Sequence, residues 1–484
     1  MMFQKNISQQ KSQLDSLVDK ITETLRNHLK NSFKKWNELI YRMYHQLENK
    51  IGISNNIVTE AFWSFVLRVT SAGLSFLTTV LLARLLGAEG YGIYSFAYAL
   101  ILLLGIPIQS GLPNLILRET ARGMAKKQPD LVKGVWKWSR QMVFFSSLII
   151  IVVLGPLLIW WQGGVNNVKG ATLAWSLLLI PFIAMGNLIG AVLRGFQNII
   201  AGLLPELFIR PGIYFLLIVG VWLIYSEWLT PPKAMFMFVL ASLFAFILGA
   251  WLLWQKIPKS VSESRARVDS KGWLVSSTFF ALLAGFHLLN LQLGTIILGI
   301  YHNPISVGTF RVAVQVSLLA SFGLDTLNKV VAPRFASFYA RGEKEKLQKL
   351  VTASARVILI LNVVLTLLFI VMGRNFFLIV FGVDFLNAYF SLLILLIGQM
   401  FNSLTGSVGF LLNMTGHEYD TLQGMAIAGV LNIGLNLLLT PRWGIFGAAT
   451  AISISMIIWN GILWWRVRQR LGLNSFAFHI SIKR

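Results

Sequence analysis

Arg68 stands about nine residues into an apolar run, roughly 13 Å along a helix, with no acid three or four positions to either side. A lone cation in such a run is costly unless it faces a cavity or an anion. A guanidinium also holds phosphate through two parallel hydrogen bonds, so the chemistry on offer is anion binding. Glu206 and Arg210, and Asp325 and Lys329, are spaced i,i+4 in further apolar runs. Each pair can neutralise itself, or release its cation when an anion competes for it. His287 and Asn290 share one face of another run. A buried histidine can relay protons and an amide can bond between helices. Arg68, Arg210 and Lys329 are therefore the candidates for a cationic substrate cavity. Glu206, His287, Asn290 and Asp325 are the candidates for ion coupling or polar lining. Arg84 and Arg311 lie near helix ends, where snorkelling to an interface is the expected role. Asn402, Asn432 and Asn436 are expected to bond across helices.

Other chemistries lack their residues. The chain has no cysteine, which removes disulfides, thiolate metal sites and cysteine nucleophiles. Its six histidines are scattered, and none has metal-ligand spacing. The run His417-Glu418-Tyr419-Asp420 reads as a short turn. No catalytic residue, metal or cofactor is assigned, and the chain is not read as an enzyme. H⁺ and Na⁺ are the coupling ions left open.

These residues need elements to hold them, and the elements are legible. After about 55 residues the chain becomes a series of apolar runs near 20 residues long; Phe144 to Trp161 is typical. Such a run matches the roughly 30 Å hydrocarbon core of a bilayer. Hydrophobic residues make up 56 % and charged residues 13 % of the 484, against about 25 % charged in a soluble domain. About twelve spans are expected, at 59–86, 90–112, 138–162, 170–193, 198–225, 231–256, 273–300, 304–330, 353–372, 387–414, 421–440 and 444–466. The net charge of +23 does not indicate nucleic acid, because Lys and Arg concentrate between spans and at the chain's start. Arg118, Arg122, Lys126, Lys127, Lys133 and Lys137 follow the second span, and similar clusters follow the sixth, the eighth and the last. Alternate junctions hold few. Positive-inside asymmetry puts the basic junctions and both termini in the cytoplasm.

Residues 1–55 read as a cytoplasmic amphipathic helix. Leu14, Val18, Ile21, Leu25 and Leu29 recur on one face, with Lys20, Arg26 and Lys30 elsewhere. Membrane lipid, a coiled-coil partner and the protein itself are the surfaces it could cover. An internal duplication follows. Leu86-Gly87 precedes Gly92-Ile93-Tyr94-Ser95-Phe96-Ala97, and Leu298-Gly299 precedes Gly308-Thr309-Phe310-Arg311-Val312-Ala313, an offset of about 216 residues. Both copies start on the same side. The expected fold is thus all-α, with two six-helix lobes related by a pseudo-two-fold along the membrane normal. The expected divisions are 1–55, an N-lobe at 56–256, a linker at 257–272, a C-lobe at 273–466 and a tail at 467–484.

From Leu82-Ala83-Arg84-Leu85-Leu86-Gly87-Ala88-Glu89-Gly90-Tyr91-Gly92 the chain resembles polysaccharide flippases of the multidrug/oligosaccharidyl-lipid/polysaccharide exporter superfamily. The resemblance continues at Arg118-Glu119-Thr120-Ala121-Arg122, Ala332-Pro333-Arg334-Phe335-Ala336, Phe381-Gly382, and Leu412-Asn413-Met414-Thr415-Gly416, and ends with Asn432, Asn436 and Gly444. Family members often carry an acid in a Q-L-D-like element of the seventh span. Here it reads Gln292-Leu293-Gly294, which puts cation coupling at that position in doubt. The resemblance implies transport of a polyprenyl-pyrophosphate-linked oligosaccharide from the inner to the outer leaflet of a bacterial-type plasma membrane. It also implies partnership with a polysaccharide polymerase and glycosyltransferases. A multidrug extruder of the same superfamily is the first alternative, and would want an acidic cavity for cationic drugs. A membrane glycosyltransferase or polymerase is the second, and would want outward-facing acids or a large outer loop, which the sequence lacks.

Overall fold

A computed structural model describes residues 55–109 and 111–478. The expected amphipathic helix at the chain's start lies outside them, as do residues 479–484. By packing, the chain divides into a first unit, Met1–Phe65, and a second, Val66–Arg484. The cavities and ion pairs of the described residues lie in the second. The described elements are helices, with no strand among them.

The helices in chain order are α1 (Asn55–Leu104), α2 (Leu112–Ala125), α3 (Pro129–Trp161), α4 (Val168–Gly195), α5 (Ile199–Tyr225), α6 (Pro231–Lys256), α7 (Ser270–Tyr301), α8 (Pro304–Ala340), α9 (Lys344–Val380), α10 (Ala388–Thr405), α11 (Val408–Met414) and α12 (Glu418–Leu471). Nine helices among the described residues are long and apolar enough to cross a membrane. A tenth candidate is α7, which bends by 52° beside His287. The chain is a multi-pass membrane protein.

Two of these helices are hairpins. At 1.5 Å per residue, a straight α1 would run about 75 Å, more than twice a bilayer's hydrocarbon core. Gly87 breaks it at φ 65°, and Gly444 breaks α12 at φ 53°, conformations that favour glycine. The arms of α12 then pack antiparallel. Gly424 lies against the Leu463 side chain, and the buried Asp420 carboxylate pairs with Arg466 at 3.4 Å and Arg470 at 3.0 Å. The turn expected at 417–420 is therefore mostly the first turn of α12, and no cluster of metal-ligating residues occurs among the described residues.

Several expected boundaries move for one reason. Hydropathy reports the bilayer core, whereas helices continue past it. The basic stretch after Pro113 is helical as α2, and α8 and α9 extend into the basic junction that joins them, leaving a short turn at Gly342. The expected span at 387–414 is broken at Gly406, which has φ 69°. In α5, Pro205 opens a π-helical turn, Pro205–Ile209, and the helix carries on. The linker is strapped to α3. Arg267 bonds Asp130 by side chain and backbone, and Lys133 donates to the Ser262 and Ser264 carbonyls. The tail folds back as well: Gln348 and Asn474 exchange hydrogen bonds, and the Ala477 amide donates to the Leu404 carbonyl.

The duplicated motif meets itself. Gly92 lies against the Pro304 carbonyl and the Gly308 amide, and Gly308 lies against the Ala88 carbonyl and the Gly92 amide. A Cβ on Gly92 would sit 1.8 Å from the Pro304 oxygen, so the two backbones can touch only because both residues are glycine.

Candidate functional site

Polar residues at helical spacing build a stripe on each of four arms. Ser71, Ser75, Thr78 and Thr79 line one face of the first arm of α1, and Tyr91, Tyr94, Ser95 and Tyr98 one face of the second. Glu206, Arg210 and Tyr214 do the same on α5, and Arg311 and Gln315 on α8. Together they enclose a cavity of about 270 Å³ among apolar helices. Tyr91, Tyr94 and Tyr98 stack successively at 6.4 and 6.5 Å, and Phe238 closes the stack at 5.6 Å from Tyr98. This gives the chamber a rigid aromatic wall with hydroxyls on it.

Charge in and around the chamber is mostly positive. Arg210 approaches Glu206 at 3.7 Å, a loose pair across the π-turn of α5. With its amide nitrogen turned toward Glu206, the orientation that satisfies both groups, Asn187 donates to the two carboxylate oxygens at 3.3 and 3.2 Å. Arg194, whose Nε donates to the Gly190 carbonyl at 3.1 Å, interacts electrostatically with both Glu206 and Arg68. Arg311 donates to the Gln292 amide oxygen at 3.3 Å and lies beside the Tyr91 hydroxyl. Four arginines, Arg68, Arg194, Arg210 and Arg311, thus gather with one carboxylate, Glu206, among the described residues. Such a set has spare donors for a multiply charged anion.

The expected residues separate into groups. Arg210 and Glu206 are on the chamber wall. Arg68 is not; it is half-buried next to Arg194, with no hydrogen bond or ion pair among the described residues. Asn290 lines a different cavity, of about 470 Å³ between α7, α8, α10 and α12, and its amide donates to the Phe286 carbonyl. The side chains of His287, Asp325 and Lys329 lie outside those described. Two arginines expected to snorkel do otherwise. Arg84 donates to the Ile379 and Val380 carbonyls, capping α9, and Arg311 points into the chamber. The asparagines expected to bond across helices bond within one arm: Asn436 to Asn432 at 2.6 Å, and Asn402 to Gln399 at 3.4 Å. Asn362 makes the crossing bonds instead, to Gln399 and Ser403 on α10. Gly294 has Phe310 3.1 Å from where a Cβ would be, so the place of the family's acid is filled by a ring.

Arg194 and Arg311 were missed by reading the sequence. For Arg311 the signal was available, since Arg311 and Gln315 repeat the i,i+4 polar stripe of the α1 arms. For Arg194 there was none, because its place beside Arg68 depends on how α4 packs.

The profile described as polysaccharide biosynthesis protein matches residues 57–339, and that described as lipid II flippase MurJ matches residues 312–483. A protein of Haloferax volcanii described as probable low-salt glycan biosynthesis flippase Agl15 is 22% identical over 396 residues, 81% of this chain and 80% of its own. Among solved structures, an inward-facing multidrug resistance MATE family transporter of the MOP superfamily superposes with TM-score 0.71 at 12% identity, covering 83% of this chain and 94% of that one. Lipid II flippase MurJ in an inward closed conformation gives 0.67 at 14% identity, over 85% and 87%. An outward-facing MATE transporter gives 0.58 at 14%, over 84% and 93%.

Proposed function

The chain belongs to the polysaccharide biosynthesis protein family, and from that premise we propose that it flips a lipid-linked glycan, a polyprenyl-pyrophosphate-linked oligosaccharide, from the inner to the outer leaflet. The observation that carries this is the chamber at Arg210 and Arg311, reinforced by Arg194 and Arg68 and held among apolar helices. Such a cargo crosses slowly unaided, because its diphosphate and hydroxyls must leave water. A cationic chamber replaces that water while the polyprenyl tail stays in lipid. In this reading both arms of each hairpin cross the membrane, which makes twelve crossings of the ten candidate helices, in two lobes that meet at Gly92 and Gly308. Alternating access then consists of opening and closing that contact. The basic junctions and both termini face the cytoplasm of a plasma membrane in this reading, the glycan serves a cell-surface polysaccharide, and a polymerase and glycosyltransferases act beside it. With Gly294 in place of an acid, Glu206 on the chamber wall stands with His287 and Asp325 as the candidates for any H⁺ or Na⁺ coupling.

The test is flipping in proteoliposomes. A polyprenyl-diphosphate-linked oligosaccharide placed in one leaflet should become accessible in the other only with protein present. An equal rate in protein-free vesicles, or an equal rate for Arg210→Gln, would refute the reading. The multidrug reading has one observation in its favour, the superposition on an inward-facing MATE transporter. The excess of arginine over carboxylate opposes it, since cationic drugs require the reverse.

A further inference from the structure

The second cavity, of about 470 Å³, differs in kind from the cationic chamber. Its described wall carries no ionisable side chain. It carries amides instead: Asn290, Asn328, Gln399, Asn402, Asn432 and Asn460, with Asn413 exposed at one end. Four nearly fully buried residues on that wall have polar atoms with no partner among the described residues. They are Asn328 Oδ1, Ser407 Oγ, Thr421 Oγ1 and Ser455 Oγ, in residues 4 %, 5 %, 5 % and 2 % exposed. Trp459 Nε1, on the same wall, is also unpartnered. Buried polar groups almost always find partners, so five orphaned atoms in residues of one wall are hydrogen-bonding capacity that the described protein leaves unused, beside the amides that line the cavity.

We propose that this cavity holds the uncharged sugar hydroxyl and acetamido groups of the cargo's glycan, and the proposal rests on the lipid-linked glycan reading above. Each amide offers a donor and an acceptor, and each hydroxyl both, which matches a sugar's own mixture. A diphosphate would require the cations that the described wall lacks. Trp459 and Phe410 add apolar surface for the carbon faces of a sugar ring. The volume lies within the range of small-molecule sites, about 300–1,000 Å³. The cargo's two chemistries are thereby divided between two chambers, charge at Arg210 and Arg311, sugar at the amides.

Two probes separate this inference from the reading beneath it: polyprenyl diphosphate, and polyprenyl diphosphate bearing one N-acetylglucosamine. Binding of each to the full-length protein in nanodiscs is measured by native mass spectrometry. The sugar-bearing probe should bind wild type at least tenfold tighter than the bare one. Asn328→Leu and Asn402→Leu should erase that difference and leave the bare probe within twofold, while Arg210→Gln weakens both. Asn402→Gln should keep the preference. Where a leucine variant fails to fold, Asn402→Ala and Thr421→Val read the same difference. A wild type that binds both probes equally, or amide variants that weaken both equally, overturns the sugar site and leaves the carrier reading standing. A wild type that binds neither overturns both.

Discussion

Arg210 and Arg311 reach the chamber wall, and Arg68 acts on it through shared charge. Arg194 lies in the fields of both Glu206 and Arg68, so Arg68 reaches the chamber's charge through Arg194 rather than by a contact of its own. A charge-assisted contact is worth roughly 1.5–3 kcal/mol, one to two decades in affinity. Arg210→Gln is therefore expected to weaken binding of a polyprenyl diphosphate 10- to 100-fold. Arg68→Ala should weaken it less, by about tenfold, and Arg68→Lys less again, because the point charge survives. Titration of the three variants in nanodiscs gives the order, and an Arg68→Ala effect larger than that of Arg210→Gln would contradict the geometry. At this scale the sequence was half legible. An arginine inside an apolar run declares itself, which exposed Arg68 and Arg210. Arg194, at the end of α4, looks like any interfacial cation until its neighbour across the packing is known.

The hairpins and the glycine contact decide what the helices can do. α1 reverses at Gly87 and α12 at Gly444, and in α12 the reversal is fastened by Asp420 with Arg466 and Arg470. Asp420→Asn leaves two arginines facing an uncharged group. Both are partly exposed to solvent, so the loss should be about 1.5 kcal/mol, at the low end for charge-assisted bonds. Chemical denaturation in detergent measures it, and an unchanged midpoint would show that the pairs contribute nothing. The contact of Gly92 with Gly308 is a moving part in the proposed cycle. Gly92→Val puts a branched side chain where the Pro304 carbonyl stands, so this end should stay open. Transport should fall at least tenfold without unfolding. The chain has no cysteine, so a Thr79→Cys reporter on the chamber wall can be labelled alone. An impermeant thiol reagent applied at the Gly92 end should label it faster in the valine background, and equal rates would refute closure there. The apolar runs revealed the nine described helices long and apolar enough to cross, because each run reports the thickness of one bilayer. They did not reveal that the basic junctions are themselves helical, as in α2 and the ends of α8 and α9 that meet near Gly342, since those stretches carry no apolar run. Nor did they reveal which motif residues touch. The two glycine motifs were visible 216 residues apart, but their contact is a property of packing.

Over the whole molecule, an uneven charge distribution makes function readable. Forty-two Lys and Arg against nineteen Asp and Glu mostly serve the basic junctions and the chain's start, and say little about cargo. The few charges within the apolar interior say more, because each costs free energy unless something compensates it. Around the chamber the described set is four arginines and one glutamate. At an effective dielectric of 20, a unit charge about 4 Å from another is worth up to about 4 kcal/mol. The sign of the set therefore outweighs most differences in shape between candidate cargoes, even after desolvation takes its share. A transporter for cationic drugs would be repelled by its own ligand here. The expected outcome is that polyprenyl diphosphate binds the protein in nanodiscs, while a cationic dye such as ethidium does not compete with it even at a hundredfold excess. Reversing charge on the wall, with Arg210→Glu and Arg311→Glu together, should invert the preference, since two sign changes move the local charge by four units. Measured by dye polarisation, binding of ethidium by the double variant and not by wild type is the result expected. Tight binding of the dye by wild type would overturn the reading of the chamber as a site for an anionic cargo.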